Sequence, residues 1–391
     1  MKFNVASESE VLSAENSDVY FQRSLSFLKN KKFNDDVIAE VTVSSFENPW
    51  INFTGLDDVL SLLEGRVTDL YAIPEGTVIP YRDIRGIPVP FISIRGNYRN
   101  FGMHETSLLG FICQSSGISS SSSMVKLAAG DKPVFSFGIR RMNPFIAPMI
   151  DRAAYIGGAE GVSGIKSGKM LGLDPVGTMP HAISLLLGDE EAWKAVAAGT
   201  KKGPVTVLID TFEDEKFGAL KAADLIPKLD FVRLDTPASR RGNFANIVRE
   251  VRWELDLRGH EKVKIMVSGG LKEADILELS NAGADAFGVG TSIASGKTVD
   301  FAMDIVDVHN QPKTKKGKLS GAKHVHRCPD CGMVEVLPLA RSRETCKCGG
   351  HFEDVLVPYI KNGKVIRREK PSEARARTIN LLKRFYLRQE V

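Results

Sequence analysis

Hydrophobic and polar residues follow two different patterns along the chain, and the change comes near residue 131. Between residues 40 and 103, short β-rich runs are separated by glycine, proline and aspartate, which is typical of an antiparallel or mixed sheet. The apolar spacing of LDDVLSLLEG at 56–65 predicts an amphipathic helix. HETSLLGFICQSSG at 104–117 predicts another helix, and the serine run at 119–123 predicts the start of a further one.

From residue 131 onwards, strand-length apolar runs alternate with helix-length segments, which predicts a parallel, barrel-like sheet. The predicted strands are FSFGIR (135–140), GVSG (161–164), DPVGT (174–178), VTVLIDT (205–211), FVRLDT (231–236), KIMVSGG (264–270) and AFGVGT (286–291). In α/β barrels the loops after the strands form the active-site face. Most of these runs end in a polar or glycine tip. One mouth of the sheet is therefore predicted to collect Arg140, His181, Asp210, Arg233, Asp235 and two glycine turns.

Three kinds of candidate chemistry lie at these tips. The glycine turns at 268–270 and 288–291 can hold a phosphate through backbone N–H groups, or can simply be tight turns. Asp210 and Asp235 can hold Mg²⁺ or steady a positive charge on a sugar ring, or can cap helices. His181 in GTMPHA is either a nucleophile or phosphate ligand, or an ordinary histidine where a loop meets a helix.

An arginine pair, Arg140 and Arg141, follows Phe137 at the first of these strands. An aromatic face beside an arginine fork suits a flat aromatic acid, because the ring stacks and the carboxylate accepts paired hydrogen bonds. The alternative is an ordinary surface arginine pair.

Composition describes a globular chain with a basic tail. Of its 391 residues 43% are hydrophobic, and no apolar run approaches the roughly 18 residues that span a bilayer. The N-terminus lacks the apolar core of a signal peptide, so we expect a cytoplasmic protein without membrane contact. Residues 313–391 hold 19 Lys and Arg against 8 Asp and Glu, and the rest holds 33 against 40. This asymmetry indicates a separate C-terminal module. Nucleic acid is not the favoured partner of this module, because aromatic residues are not interleaved with its basic residues.

Four of the five cysteines lie within 21 residues, in the order CPDC, fourteen residues, CKC. In a cytoplasmic chain this spacing predicts a structural Zn²⁺ site rather than disulfides. The predicted ligands are Cys328, Cys331, Cys346 and Cys348. His324, His326 and His351 are possible substitutes for one thiolate, and Cys113 is predicted to be a core residue of a helix.

The motifs SDVYF, FSFGIRRM, YIGGAEGVSG, GTMPHA, LIDT, RLDTPASRRG, VSGG and FGVGTS occur in this order over nearly the whole chain. Together they closely resemble nicotinate phosphoribosyltransferase, in the archaeal form with a cysteine-rich C-terminal extension. The resemblance implies a type II phosphoribosyltransferase fold. That fold has an N-terminal α/β sandwich over 1–130, an incomplete parallel α/β barrel over 131–305, and a basic zinc-knuckle-like domain over 306–391.

The implied reaction joins nicotinate and phosphoribosyl pyrophosphate (PRPP) to give nicotinate mononucleotide and pyrophosphate. ATP is an expected co-substrate, Mg²⁺ accompanies PRPP and ATP, and the counterpart of His181 is transiently phosphorylated. The resemblance also implies a homo-oligomer, a dimer or trimer of dimers, in which Tyr20 completes the active site of a partner subunit.

The resemblance assigns a role to each matching residue. His181, Asp210, Arg233 and Asp235 are the expected catalytic residues. The expected substrate-binding residues are Tyr20, Phe137, Arg140, Glu160, Ser163, Thr178, Thr236, Ser268, Gly269, Gly270, Gly288, Gly290 and Thr291. Tyr20 and Phe137 would sandwich the pyridine ring, while the serine and glycines from 268 onwards would bind the 5′-phosphate. Glu160 departs from the family pattern, in which an aspartate is common.

Other functions stay open at this point. Quinolinate carries a second carboxylate and needs more cationic residues than Arg140 and Arg233, and nicotinamide would leave a carboxylate-binding arginine unused. From a different class, the cysteine cluster and basic tail are compatible with a zinc ribbon that binds nucleic acid. An aldolase-like barrel would need a lysine at a strand tip, and none of the tips above has one.

Overall fold

A computed structural model of the chain describes residues 3–386. Numbered along the chain, its strands are β1 (Asp36–Ser45), β2 (Trp50–Asn52), β3 (Asp69–Ala72), β4 (Val78–Pro80), β5 (Ile92–Asn97), β6 (Val134–Ser136), β7 (Gly161–Val162), β8 (Thr206–Leu208), β9 (Phe231–Leu234), β10 (Lys264–Val267), β11 (Ala286–Val289), β12 (Asp300–Val308), β13 (Gln311–Pro312), β14 (Lys323–Arg327), β15 (Val334–Pro338), β16 (Glu353–Asp354), β17 (Val357–Lys361) and β18 (Lys364–Val365).

The helices, numbered in the same way, are α1 (Glu8–Leu12), α2 (Val19–Asn30), α3 (Leu56–Leu63), α4 (Tyr98–Phe101), α5 (Glu105–Ala129), α6 (Ala147–Ile156), α7 (Ile165–Leu171), α8 (His181–Leu187), α9 (Asp189–Gly199), α10 (Glu215–Leu225), α11 (Phe244–Leu257), α12 (Glu273–Asn281), α13 (Thr291–Ala294) and α14 (Pro371–Phe385). Two short 3₁₀ segments are Gly102–His104 and Ile139–Arg141. Within residues 3–386, no helix combines the length and apolar character that crossing a bilayer requires.

The chain divides into two compact units. Residues up to 120 form one unit together with those from 297 onwards, and residues 121–296 form the other. In the first unit, β17 from the C-terminal segment pairs antiparallel with β3 in the same sheet as β1 and β5. The division into three domains at residues 130 and 305 stays a prediction.

The first unit is built on an antiparallel sheet of seven strands in the order β13-β12-β1-β5-β3-β17-β18. β1 is buried over most of its length because its apolar residues occur at every second position, as in Val37, Ala39, Val41 and Val43. Helix α3 adds a buried apolar face to the same core. This unit confirms the predicted mixture of helices with an antiparallel sheet.

The second unit carries six parallel strands in the order β7-β6-β11-β10-β9-β8, with β7 and β8 as unpaired edges. The predicted incomplete parallel barrel is thereby confirmed. The predicted strand at 174–178 is wrong: this segment lies in the chain between β7 and β8 and forms no strand. Val176 donates its N–H to Val162 O at 2.9 Å, but one hydrogen bond does not make a ladder, and Pro175 has no N–H to donate on the opposite side of the chain.

The serine run at 119–123 was predicted to begin a helix, and this prediction is wrong. The run lies inside the single 25-residue helix α5. Two of its buried hydroxyl groups are satisfied by carbonyls of the following segment, since Ser122 donates to Ala154 O at 2.8 Å and Ser123 to Gly157 O at 2.9 Å. The buried Ser119 hydroxyl has no partner among the described residues. Short polar side chains that return hydrogen bonds to backbone are tolerated inside a helix when they are satisfied in this way.

Glu105, at the start of α5, makes the stability of the first unit depend on pH. Burial and the nearby Asp304 carboxylate raise the pKa of Glu105 to about 7, against the opposing charge of Lys315. Its contribution to stability is therefore fully present below the ordinary pKa of 4.5 and is lost as the pH rises to about 7. We expect Glu105→Gln to raise the free energy of unfolding at pH 8 by about 1–2 kcal/mol.

Urea unfolding of the wild type and of Glu105→Gln at pH 4.5, 6 and 8 checks this expectation. The difference between the two proteins should grow across this range. Equal differences at all three pH values would show that the Glu105 carboxyl is not responsible.

Candidate active site

The carboxyl ends of the parallel strands surround a cavity of about 420 Å³ in the second unit. This volume is in the range of small-molecule sites. The lining residues are Phe137, Ile139, Arg140, Ser163, Val176, Gly177, Thr178, Met179, Pro180, His181, Ala182, Arg233 and Asp235. Seven of them belong to the predicted site, and the structure brings these seven together from strand ends that are up to about a hundred residues apart in the chain.

Arg233 connects the walls of this cavity. From β9, its guanidinium donates Nε–H to Ser268 Oγ at 2.9 Å and Nη1–H to Thr178 Oγ1 at 2.5 Å. Nη2 forms an ion pair with Asp235 Oδ1 at 3.0 Å, and Ser268 donates its hydroxyl to the same oxygen at 2.6 Å. The Arg233 side chain is 14% exposed, so this fork is held in place largely away from water.

The Phe137 ring forms one wall of the cavity. The Arg233 guanidinium lies over it, 5.6 Å from the ring centroid. A Cβ at Gly288 would approach the ring carbons of Phe137 to 2.6 Å, so β11 needs a glycine there for the ring to keep its position. Gly138 is also required to be glycine, because a Cβ there would meet Gly290 O at 2.6 Å. The sequence pattern did not indicate this residue.

His181 and Asp210 meet at the edge of the cavity. His181 is the first residue of α8, and its Nε2 lies 3.5 Å from Asp210 Oδ1. The Asp210 side chain is only 2% exposed, and burial raises its pKa. Its Oδ2 accepts hydrogen bonds from the Asp235 N–H at 2.7 Å and the Thr236 hydroxyl at 2.8 Å. Oδ1 accepts no hydrogen bond, so this buried oxygen favours a positively charged neighbour.

Glu215 is a carboxylate of this region that the sequence argument missed. It is the first residue of α10, and its Oε1 lies 2.5 Å from the Thr236 hydroxyl. Thr236 therefore lies between two carboxylates, those of Asp210 and Glu215. Glu215 follows its strand by several residues, so the strand-tip pattern did not indicate it.

The first of the two predicted phosphate turns, at 268–270, has a backbone that requires glycine. Gly269 and Gly270 have φ values of +92° and +72°, which favour glycine. A Cβ at Gly269 would also meet Asp235 O at 2.9 Å. Arg241 donates to Gly269 O at 2.7 Å and so ties this turn to the loop after β9. Gly290 precedes α13, and Thr291 is its exposed first residue.

Glu160 and Tyr20 are not among the residues that line this cavity. Glu160 precedes β7 and so lies at the amino edge of the parallel sheet, where it accepts the Val134 N–H at 2.7 Å and pairs with Lys126 at 2.8 Å. Since the cavity is at the carboxyl edge, this placement does not support the predicted contact of Glu160 with the base. Tyr20 belongs to α2 of the other unit and is 52% exposed.

Comparisons with known proteins give the family. Residues 18–116 match the model for the N-terminal domain of quinolinate phosphoribosyl transferase, and residues 118–304 match the model for its C-terminal domain. The nicotinate phosphoribosyltransferase pncB2 of Mycobacterium tuberculosis is 31% identical over 331 residues, which are 81% of this chain and 68% of that protein. The chain belongs to the type II phosphoribosyltransferase family. The predicted family is thereby confirmed.

One further relative and one solved structure show how much of each protein is covered by the similarity. The nicotinate phosphoribosyltransferase pncB1 of M. tuberculosis is 29% identical over 239 residues, so the chain spans 52% of that relative's length. A crystal structure of nicotinate-nucleotide pyrophosphorylase from Pyrococcus furiosus is 46% identical, with a TM-score of 0.93. The match covers 98% of this chain and 99% of that one.

The first unit of this phosphoribosyltransferase-family chain also contains the predicted cysteine cluster. The four sulfur atoms lie within 4.8 Å of one another, and the cysteines form no disulfide. Cys328 and Cys348 have their sulfurs 3.5 Å apart, and Cys331 and Cys346 have theirs 3.6 Å apart. Four thiolates at about 2.3 Å from one tetrahedral ion would be about 3.8 Å apart, so the cluster fits a zinc ion. The histidines at 324, 326 and 351 are not part of this group.

A glycine turn follows each of the two cysteine pairs of the sequence, Cys328 with Cys331 and Cys346 with Cys348. Gly332 and Gly349 have φ values of +76° and +91°. Gly332 N–H donates to Cys328 O, and Gly349 N–H donates to Cys346 O. The second of these is a tight turn, as the C-x-C spacing predicted.

Proposed function

We propose that this chain is a nicotinate phosphoribosyltransferase. It transfers the phosphoribosyl group of PRPP to nicotinate, giving nicotinate mononucleotide and pyrophosphate, and couples this transfer to ATP hydrolysis through phosphorylation of His181. The observation that carries the proposal is the meeting of His181, Arg233 and Asp235 around one cavity of suitable size. The names of the M. tuberculosis relatives support it.

The cavity offers what a flat, negatively charged base needs. Phe137 provides an aromatic face, and Arg140 and Arg233 are the arginines of the lining. An arginine fork binds a carboxylate through paired hydrogen bonds. Asp235 neutralises part of the charge of Arg233, so the lining suits one carboxylate better than two. The role of Tyr20, as a second aromatic face supplied by a partner subunit of a dimer or trimer of dimers, belongs to the same proposal.

The sugar and pyrophosphate need charge balance rather than a strong acid or base. Asp210 and Asp235 together offer carboxylate oxygens, the ligands that Mg²⁺ prefers. Bound there with PRPP, Mg²⁺ would neutralise the leaving pyrophosphate. Asp235 would face the positive charge that develops on the ribose, while Arg233 keeps its carboxylate in position. The turns of Ser268–Gly270 and Gly288–Thr291 would present N–H groups to the 5′-phosphate.

His181 is the proposed phosphate carrier. Asp210 beside Nε2 favours a proton on that nitrogen and leaves the lone pair of Nδ1 for attack. Nδ1 then forms a bond to the γ-phosphorus of ATP, and the bond to the bridging oxygen breaks as ADP leaves with the electron pair. Water later hydrolyses the phosphohistidine.

One assay tests this proposal: product formation from PRPP with nicotinate, nicotinamide or quinolinate, each with and without ATP. We expect the greatest kcat/KM with nicotinate and stimulation by ATP. Quinolinate is the second candidate base, because both family models are those of quinolinate phosphoribosyl transferase. Carbon dioxide release with quinolinate and no turnover of nicotinate would replace the proposal by this alternative.

Zinc in the four-cysteine cluster is proposed as a structural ion. Four protein ligands leave no open position, so we expect the double substitution of Cys328 and Cys331 by serine to lower the melting temperature by several degrees without changing the chemical step. Thermal unfolding and single-turnover rates of both proteins check this. An equal melting temperature, with zinc absent from the wild type, would remove the zinc site.

A further inference from the structure

Two histidines and an aspartate form a second group of potential metal ligands, separate from the four-cysteine cluster. His324 and His326 are two residues apart in β14, so their side chains share one face of the strand. Asp354 of β16 lies opposite His326 in the antiparallel pairing. One potential ligand atom from each of the three residues lies within 4.8 Å of the others.

His326 is a buried histidine with a ring nitrogen that no described residue satisfies. The residue is 6% exposed, and its buried Nδ1 has no hydrogen-bond partner. The ring stacks on Phe352 at 5.8 Å between centroids and packs against His324 at 5.4 Å. A buried ring nitrogen without a partner costs free energy, and a metal ion bound to that nitrogen would offset this cost.

Asp354 is fixed in a way that suits a ligand. Its Oδ1 accepts the backbone N–H of Leu356 at 3.0 Å, with that of Val325 at 3.4 Å. Oδ2 is turned towards the histidines and lies 2.5 Å from His324 Nδ1. Hydrogen bonds that orient a ligating carboxylate through its other oxygen are a usual part of metal sites.

We propose that His324, His326 and Asp354 form a second metal site, distinct from the four-cysteine cluster, that binds a divalent transition metal of the zinc, cobalt and nickel class. Two imidazoles and one carboxylate are the donor set that these ions accept. The His324 and Asp354 side chains are 27% and 33% exposed, so an ion and its remaining water ligands can enter from that side.

Other histidine–aspartate pairs show that such a pair alone is not the basis of this proposal. His260 faces Asp224 at 2.9 Å, and His309 faces Asp35 at 3.3 Å. Within the residues that the structure describes, neither pair has a third metal-ligating side chain in reach. His309, exposed and in the same unit, therefore provides a matched control.

Cobalt distinguishes the two sites because thiolate ligands give an intense near-ultraviolet charge-transfer band and histidine or carboxylate ligands do not. We titrate the metal-free, tag-free full chain with Co²⁺ and follow both absorbance and the bound metal. The wild type and His309→Gln are expected to bind two equivalents, one with the thiolate band and one without it. His326→Gln and Asp354→Asn are expected to lose the second equivalent and keep the thiolate band.

Two results would overturn the proposal. One is saturation of the wild type at the single thiolate equivalent, which would leave the three residues as a hydrogen-bonded group only. The other is a second equivalent of Co²⁺ that still binds to Asp354→Asn. Asparagine has the shape of aspartate and the side chain is partly exposed, so this variant is expected to fold normally. Circular dichroism identifies a misfolded His326→Gln, in which case the wild-type stoichiometry and Asp354→Asn decide.

Discussion

Arg233→Lys is expected to lower kcat/KM for phosphoribosyl transfer by at least about 100-fold, which corresponds to about 2.7 kcal/mol of transition-state stabilisation. The planar guanidinium binds Thr178, Asp235 and Ser268 in three directions at once. A lysine ammonium is a single point of charge and cannot keep all three contacts. The Asp235 carboxylate would then lose its fixed position under the proposed reaction centre. Steady-state kinetics with PRPP and nicotinate measure the effect.

The control for this prediction is Arg249→Lys. Arg249 is exposed on α11 and donates to Asn246 in the preceding turn, so the same exchange removes no contact of the cavity. Its kcat/KM should stay within about twofold of the wild type. If Arg233→Lys retained more than a third of the activity, the fork would not be what positions Asp235.

His181→Ala is expected to abolish stimulation by ATP and to leave a slow transfer that does not depend on ATP. The imidazole is the proposed acceptor of the γ-phosphate, whereas Arg233, Asp235 and Phe137 remain in place without it. Two measurements check this: rates with and without ATP, and acid-labile phosphate on the protein after incubation with labelled ATP.

His260→Ala serves as the comparison for His181→Ala. His260 also faces an aspartate, but it lies after α11, away from the cavity. The His260→Ala protein should keep both the stimulation by ATP and the acid-labile phosphate. Wild-type protein that acquired no acid-labile phosphate would contradict the carrier role of His181, while transfer to nicotinate could still be present.

The strand tips were the most predictable part of the molecule. A parallel sheet puts the carboxyl ends of its strands at one edge, so residues that follow strands were expected to converge. Phe137, Ser163 and Arg233 do lie on one cavity. The same rule places Glu160 at the amino edge of the sheet, away from the cavity, because Glu160 precedes β7.

What could not be predicted depends on partners distant in the chain. DPVGT has the length and apolar content of a strand, but it makes a single backbone hydrogen bond to the edge strand β7, and Pro175 has no N–H to donate. The serines of α5 were expected at a helix end, since short polar side chains favour caps. Their carbonyl partners in α6 and just after it, more than thirty residues away, are not visible in the local pattern. Glu215 was missed because its contact with Thr236 arises only when β8 and β9 lie side by side.

The unpaired segment between β7 and β8 has a consequence for how the protein can work. Its residues from Val176 to Pro180 line the cavity described above and also a second cavity of about 540 Å³ on their other side. This segment is held to β7 through the N–H of Val176 and to Arg233 through the Thr178 hydroxyl, so a shift towards either space would break these contacts but no ladder of strand hydrogen bonds. The imidazole at its end would then adjust to a triphosphate or a sugar pyrophosphate in turn, while the strands behind it stay still.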